Sequence, residues 1–283
     1  MKEQIDLLLK DVNKLPPMSN VVLKVMELVQ DPSVSIQILA AEISKDPGIT
    51  ASIIKISNSA YYRASKPIRT VQEALMTLGI QTVKEIVVLT ASKAILKKDL
   101  KGYQLEADDS WAHSITVAEL SSKIVTHKKL PIRKDLVFTS GLLHDIGKVV
   151  LAQFFPMKML EIRDEVKNLS SQFTDVEKKY FGYSHEEVGL KLLDAWNFPD
   201  ELKEVVAYHH KPELSKKFPL LVSVVHIANT IAIICGIGID IGGTALELSN
   251  FALQTTGVSE ADVELYFTNI PELQKSISEL KNF

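Results

Sequence analysis

Leu136-Val137-Phe138-Thr139-Ser140-Gly141-Leu142-Leu143-His144-Asp145-Ile146-Gly147-Lys148-Val149-Val150 is the stretch whose reading decides the fold. Leu136, Leu143 and Val150 recur at every second turn of an α-helix, so their side chains share one face that must be buried. Val22, Val25, Met26 and Val29 repeat the spacing in the N-terminal third. No long stretch alternates apolar and polar residues as a half-buried strand would. The expected fold is therefore all-α. Within the quoted stretch, Gly141 would let a neighbouring helix approach closely, and the adjacent pair His144-Asp145 places an imidazole and a carboxylate in apolar surroundings.

Working outward, several helix starts are marked by capping boxes, in which a Ser or Thr accepts from a backbone N–H and an acid three residues on reaches back. Thr70 with Glu73, Thr174 with Glu177 and Ser184 with Glu187 fit this pattern. Asp31-Pro32 and Asp46-Pro47 divide the N-terminal third into short helices, because a residue before proline is pushed out of the helical region. Lys97 to Asp109 reads as a softer link between an N-terminal lobe, residues 1–105, and a second lobe, 106–240, anchored by Trp111 and Trp196. Residues 241–283 read as a helical packing segment with caps at Ser259 and Pro271. No internal repeat is apparent.

The chain has 283 residues, 46% hydrophobic and 24% charged, which suits ordered globular lobes rather than disorder. A net charge of -3 and an isoelectric point near 6.2 supply no basic field, so direct nucleic-acid binding is not expected. The lone Cys235 has no partner for an internal disulfide and reads as a small buried hydrophobe. The charged start Met1-Lys2-Glu3-Gln4 is unlike a signal peptide, and a cytoplasmic location is expected. Leu220 to Ile241 approaches the length of a membrane span, but His226, Asn229 and Asp240 interrupt it. It reads instead as a central core helix.

The histidines carry the chemistry. His113 lies four residues after Asp109, so on one helix both would aim at the same point. His144 adjoins Asp145, His185 adjoins Glu186, and His209 adjoins His210. Neutral imidazole with carboxylate suits iron, manganese, nickel or zinc. Lys148, four residues after His144, would reach an anion beside such an ion. With Ser184 as cap, His185 stands in the first turn of a helix, where the backbone favours an anion such as phosphate. Asp200 would cap the helix that ends at His209-His210. His226 reads as a core histidine satisfied by hydrogen bonds, His127 as solvated, and Asn58 and Ser59 as turn or C-cap residues.

The order His113, His144-Asp145, His185, His209-His210 resembles the metal-ligand order of HD-domain phosphohydrolases, especially the HD-GYP cyclic-dinucleotide phosphodiesterases. In those enzymes the pattern closes with an aspartate on a late helix, whereas the matching stretch here is Val225-His226-Ile227-Ala228-Asn229. Asn229 offers a neutral oxygen and is the weaker ligand. Lys211-Pro212-Glu213-Leu214 stands where a Gly-Tyr-Pro loop would be. Further stretches resemble the related bacterial HDOD family: Leu15-Pro16-Pro17-Met18, Asp46-Pro47-Gly48-Ile49-Thr50, Ile56-Ser57-Asn58-Ser59-Ala60, Ala74 to Gly79, His185-Glu186-Glu187-Val188-Gly189 and Trp196-Asn197-Phe198-Pro199. The resemblance covers roughly residues 12 to 235.

It implies an HD-like helical bundle with an additional N-terminal helical lobe, acting as a non-catalytic signal-transduction module. His113, His144, Asp145, His185, His209 and His210 would form the metal site, with Asp109 and Asn229 as additional ligands and Lys148 toward an anion. The partner would be a signalling protein or a nucleotide. Two alternatives use the same residues: a metal-dependent phosphodiesterase acting on a nucleotide, and a metal-holding sensor without turnover.

Overall fold

Helices account for the regular structure of the computed structural model, which describes residues 1–10, 18–62, 66–159, 161, 173–238, 247–276 and 278–281. The chain is all-α, and among these residues no strand forms beyond a single bridge between Leu100 and Leu105. None of the described helices is long and apolar enough to cross a membrane. Leu15-Pro16-Pro17 and Asp240 lie outside the described residues.

The chain divides into two compact units. The smaller comprises Met18–Ala94 with Gln274–Phe283. Its helices are α2 (Asn20–Leu28), α3 (Ile36–Ile43), α4 (Pro47–Ser57), α5 (Val71–Leu78) and most of α6 (Ile80–Leu96). α3 packs on α2 and α5, and α5 on α4, with Val22, Leu39, Ile53 and Ala74 buried in the unit's core. Asp46 caps α4 by accepting from Ile49 N at 3.0 Å, with Pro47 as the first helical residue. Asn58 ends that helix: its Nδ2 donates to the carbonyls of Ile54 and Ile68, and its Oδ1 accepts from Ile68 N. At α5 Thr70 caps Glu73 N as expected, but the Glu73 carboxylate accepts from Arg69 N, one residue before the cap.

The larger unit comprises Met1–Pro17 and Ile95–Leu273. It contains α1 (Lys2–Lys10), α7 (Ala107–His127), α8 (Lys134–Leu143), α9 (Ile146–Phe154), α10 (Phe173–Phe181), α11 (His185–Ala195), α12 (Asp200–Tyr208), α13 (Pro219–Ile234), α14 (Asn250–Thr256) and most of α15 (Glu260–Ser276). α13 is apolar on nearly every side and packs against α7, α8, α12 and α14, the position such a helix requires. α7 lies on α8, and α11 on α9 and α12. α1 returns to pack on α11, where Tyr183 donates to Asp6.

Several local expectations are corrected. Residues 97–106 are not a slack link: a 3-10 turn at Lys101–Tyr103 buries the Tyr103 ring completely, and α7 is under way by Ala107. Thr174 lies inside α10 and Glu177 points into the core instead of serving a cap. The N-cap of α12 is Pro199; Asp200 is already helical and pairs with Lys217. Pro271 sits within α15, whose start is capped by Ser259 together with Asp262. Cys235 is half-buried just beyond the end of α13 rather than enclosed.

Candidate metal centre

The sequence brings the site together through two close helix approaches. A Cβ on Gly141 would lie 2.8 Å from Ala118 Cα, so α7 and α8 touch through backbone, placing His113 beside His144. A Cβ on Gly147 would lie 1.9 Å from the His185 carbonyl oxygen, so the start of α9 meets the start of α11. His144 and Asp145 occupy the break between α8 and α9, which turns both side chains toward the neighbouring imidazoles.

Asp145 is the centre. Its Oδ1 lies 3.5 Å from His185 Nε2 and 3.4 Å from His209 Nε2. Its Oδ2 lies 3.4 Å from His144 Nε2 and 3.8 Å from His113 Nε2. His210 completes the first half with Nε2 3.2 Å from His185 Nε2. Two ligand sets result, Asp145-His185-His209-His210 and His113-His144-Asp145, and within each the candidate ligand atoms lie within 4.8 Å of one another. One carboxylate is shared by both.

The imidazoles are held in a common orientation. Nδ1 donates to the carbonyl of Ile237 in His113 (2.9 Å), of Gly141 in His144 (2.8 Å) and of Val206 in His209 (3.0 Å). A carbonyl can only accept, so Nδ1 carries the proton and the Nε2 lone pair of each neutral ring faces the cluster. In His185, Nδ1 donates to Glu177 Oε2 at 2.7 Å. Fixing one ring nitrogen while presenting the other is the arrangement that metal-ligating histidines require.

Electrostatics agree with that role. Burial, reinforced by His144, pushes His113 down to about 4, and burial pushes His209 down to about 3 despite the nearby Asp145. Burial with its neighbours His209 and His185 also depresses His210. These rings are neutral near pH 7, as ligands must be. Burial alone would raise the Asp145 carboxyl, but the opposing interactions, the Lys148 ammonium foremost, hold the group ionised. Burial opposes the charge on His185, yet Glu177 prevails and raises it. Among the described residues, Asp145 Oδ1 and His209 Nε2 are buried without a hydrogen-bond partner, which is costly unless another ligand satisfies them. The donor set fits a divalent cation.

Lys148 is turned inward, its Nζ 2.7 Å from Asp145 Oδ2, with only 5% of the residue exposed. Its charge thus sits in the half of the cluster shared with His113 and His144. Asp109 belongs to neither ligand set: it stands exposed in the first turn of α7, where the helix has not yet entered the core. Asn229 is buried on α13, and neither of its side-chain polar atoms has a partner among the described residues. His226 is satisfied on both sides, donating from Nδ1 to the His209 carbonyl at 2.8 Å and accepting at Nε2 from Ser249 N at 3.1 Å. His127 is exposed but bonded to the Tyr266 hydroxyl at 2.9 Å.

Two contributors escaped the sequence reading. Glu177 is fully buried; Oε2 accepts from His185 N at 2.8 Å as well as from Nδ1, and Oε1 accepts from the Tyr103 hydroxyl at 2.5 Å. The first backbone N–H of α11, expected to favour phosphate, is therefore taken by a carboxylate of the protein itself. The Ser184–Glu187 capping box meets further donors. Nothing in the spacing of Tyr103 and Glu177 marks them, since they meet only through the fold.

A 1.90 Å structure of an HDOD domain protein of unknown function from Geobacter sulfurreducens superposes with a TM-score of 0.77 at 26% identity, covering 99% of this chain and 95% of that one. An uncharacterized protein of Treponema pallidum is 24% identical over 224 residues, 77% of this chain and 42% of its own length. The cyclic-di-AMP phosphodiesterase PgpH of Bacillus subtilis is 29% identical over 120 residues, 40% of this chain and 15% of the enzyme. The chain thus spans less than half of either curated relative. The family model for the HDOD domain matches residues 15–212, and the chain belongs to the HDOD family.

Proposed function

We propose that this chain is a regulatory module whose His/Asp cluster holds one divalent ion without turning over a substrate. The observation that carries this reading is the Lys148 ammonium on Asp145 Oδ2 at 2.7 Å. A hydrolytic pair of ions would share both carboxylate oxygens, and an ammonium in one half repels the second cation. Burial supports the same conclusion. His113, His144, His185 and His209 are each less than 5% exposed, and a closed ligand shell suits holding an ion better than activating water beside an open position. The half containing His185, His209 and His210 would take the ion, with iron, manganese, nickel or zinc compatible with its donors. Binding would stabilise the larger unit, and a signalling protein or a nucleotide would read that state.

Metal analysis of the purified chain, followed by a phosphodiester screen with each of these ions, tests the proposal. Bound metal at about one ion per chain with no turnover is expected. Turnover that is lost in Asp145→Ala would overturn it.

One observation favours the second reading, a metal-dependent phosphodiesterase. His210 is only partly buried, so the cluster has an edge toward solvent. The likeness to a cyclic-di-AMP phosphodiesterase names a substrate class for the same screen. A bound ion would there supply an activated water, while the imidazoles orient the site and Lys148 would have to leave Asp145 to meet a phosphate.

A further inference from the structure

We propose that Tyr103 and Glu177 are positioning residues for His185, and that through them metal occupancy sets the mobility of the turn at residues 100–105. The inference rests on reading the cluster as a metal site.

Tyr103 is held on a tight reversal in which Leu100 N donates to the Leu105 carbonyl at 2.8 Å and Leu105 N donates back at 3.3 Å. Gly102 presses on Met159, where a Cβ would lie 2.1 Å from the methionine Cβ, so the turn has little freedom on that side. The Tyr103 ring packs edge-on against Phe173 with centroids 5.2 Å apart. Its hydroxyl donates to Glu177, whose other oxygen accepts from the His185 ring and backbone. The Lys148 ammonium lies 5.7 Å from the centroid of the same tyrosine ring. Tyr103 therefore touches the partner of His185, on the Oδ1 side of Asp145, and the partner of Oδ2.

Packing alone would not select this arrangement. Enclosing a carboxylate is costly unless good hydrogen bonds compensate it, and an apolar residue would fill the space more cheaply. Here the carboxylate spends one oxygen entirely on a candidate ligand. An ion on His185 Nε2 draws electron density from the ring and strengthens Nδ1–H as a donor. The bond to Glu177 tightens, and the polarised chain of hydrogen bonds extends to the Tyr103 hydroxyl. Occupancy in the cluster then restrains a turn that carries none of the ligands.

The test uses the full chain stripped with chelator and titrated with Co2+, comparing wild type, Tyr103→Phe and Glu177→Gln. Glu177→Gln weakens Co2+ binding by about 10- to 100-fold, and Tyr103→Phe, which keeps the ring, by about 3- to 10-fold. In the wild type Co2+ slows hydrogen exchange at amides 101–105, and in Tyr103→Phe it does not, each protein being measured at the same interval below its own metal-free melting temperature. If wild type binds Co2+ and both variants match it within about two-fold, or if wild-type exchange at 101–105 ignores the ion, the relay is refuted while the metal reading stands. The exchange measurement on wild type decides even if a variant fails to fold. A wild type that takes up no Co2+ removes both.

Discussion

At the scale of single residues, the Lys148 ammonium and the buried imidazoles dominate the electrostatics of the cluster. With Lys148 replaced by Met, Asp145 Oδ2 loses its ammonium and the His113-His144 half opens to a second cation. The expected change is from about one to about two ions per chain by elemental analysis; a count still at one would show that the lysine does not exclude the second ion. Protons act on the same rings. His113 and His209 titrate near 4 and 3 in the folded chain, below the ordinary value of 6.5, so the unfolded chain binds more protons between those limits. Metal-free stability is therefore intact above about pH 6.5 and falls as pH drops toward 4, by on the order of 3 kcal/mol for a shift like that of His113. Denaturant titrations at pH 7.5, 6 and 5 measure this; a flat profile would mean that the rings are not held neutral.

Gly147 and Ser184 act at the scale of the element, fixing how α9 meets α11. A methyl on Gly147 has no room beside the His185 carbonyl, so Gly147→Ala forces the helices apart. Overpacking of this kind costs about 1–3 kcal/mol or more. It should also weaken metal binding, because His185 moves with its helix while His144 does not; unchanged affinity would count against helix contact as the source of the geometry. Ser184→Ala removes half of a complete capping box and is expected to lower stability by about 1 kcal/mol in chemical denaturation. The box was legible in Ser184 and Glu187 because both partners lie within one turn. The Thr174–Glu177 pair carries the same letters and has another fate: α10 is already formed at Phe173, and Glu177 is drawn to His185 and Tyr103.

Discontinuity in sequence marks the whole molecule. The larger unit takes in Met1–Pro17 and resumes only at Ile95, and no local signal in the chain announces that α1 packs on α11. An ion bound within this unit stabilises the folded chain by about 2.7 kcal/mol when present at 100 times its Kd. Calorimetry with Zn2+ and then chelator should show a transition that rises and returns; a transition indifferent to both would mean that the cluster holds no ion.

Helical periodicity, the family motifs and the histidine order were present in the sequence by itself, because amphipathic spacing and short-range caps are properties of neighbouring residues. Those letters supplied the six residues that the fold gathers, and also Asp109, which it does not group with them, and Asn229, whose polar atoms it buries without a partner among the described residues. Tertiary structure alone decided that Asp145 lies in both candidate ligand sets, that Asp109 stays in solvent, that Lys148 faces the carboxylate, and that Tyr103 and Glu177 form a hydrogen-bonded chain to His185. Each of these depends on which helices meet and at what distance, and burial and hydrogen bonding between residues far apart in the chain are settled only when the chain closes around them.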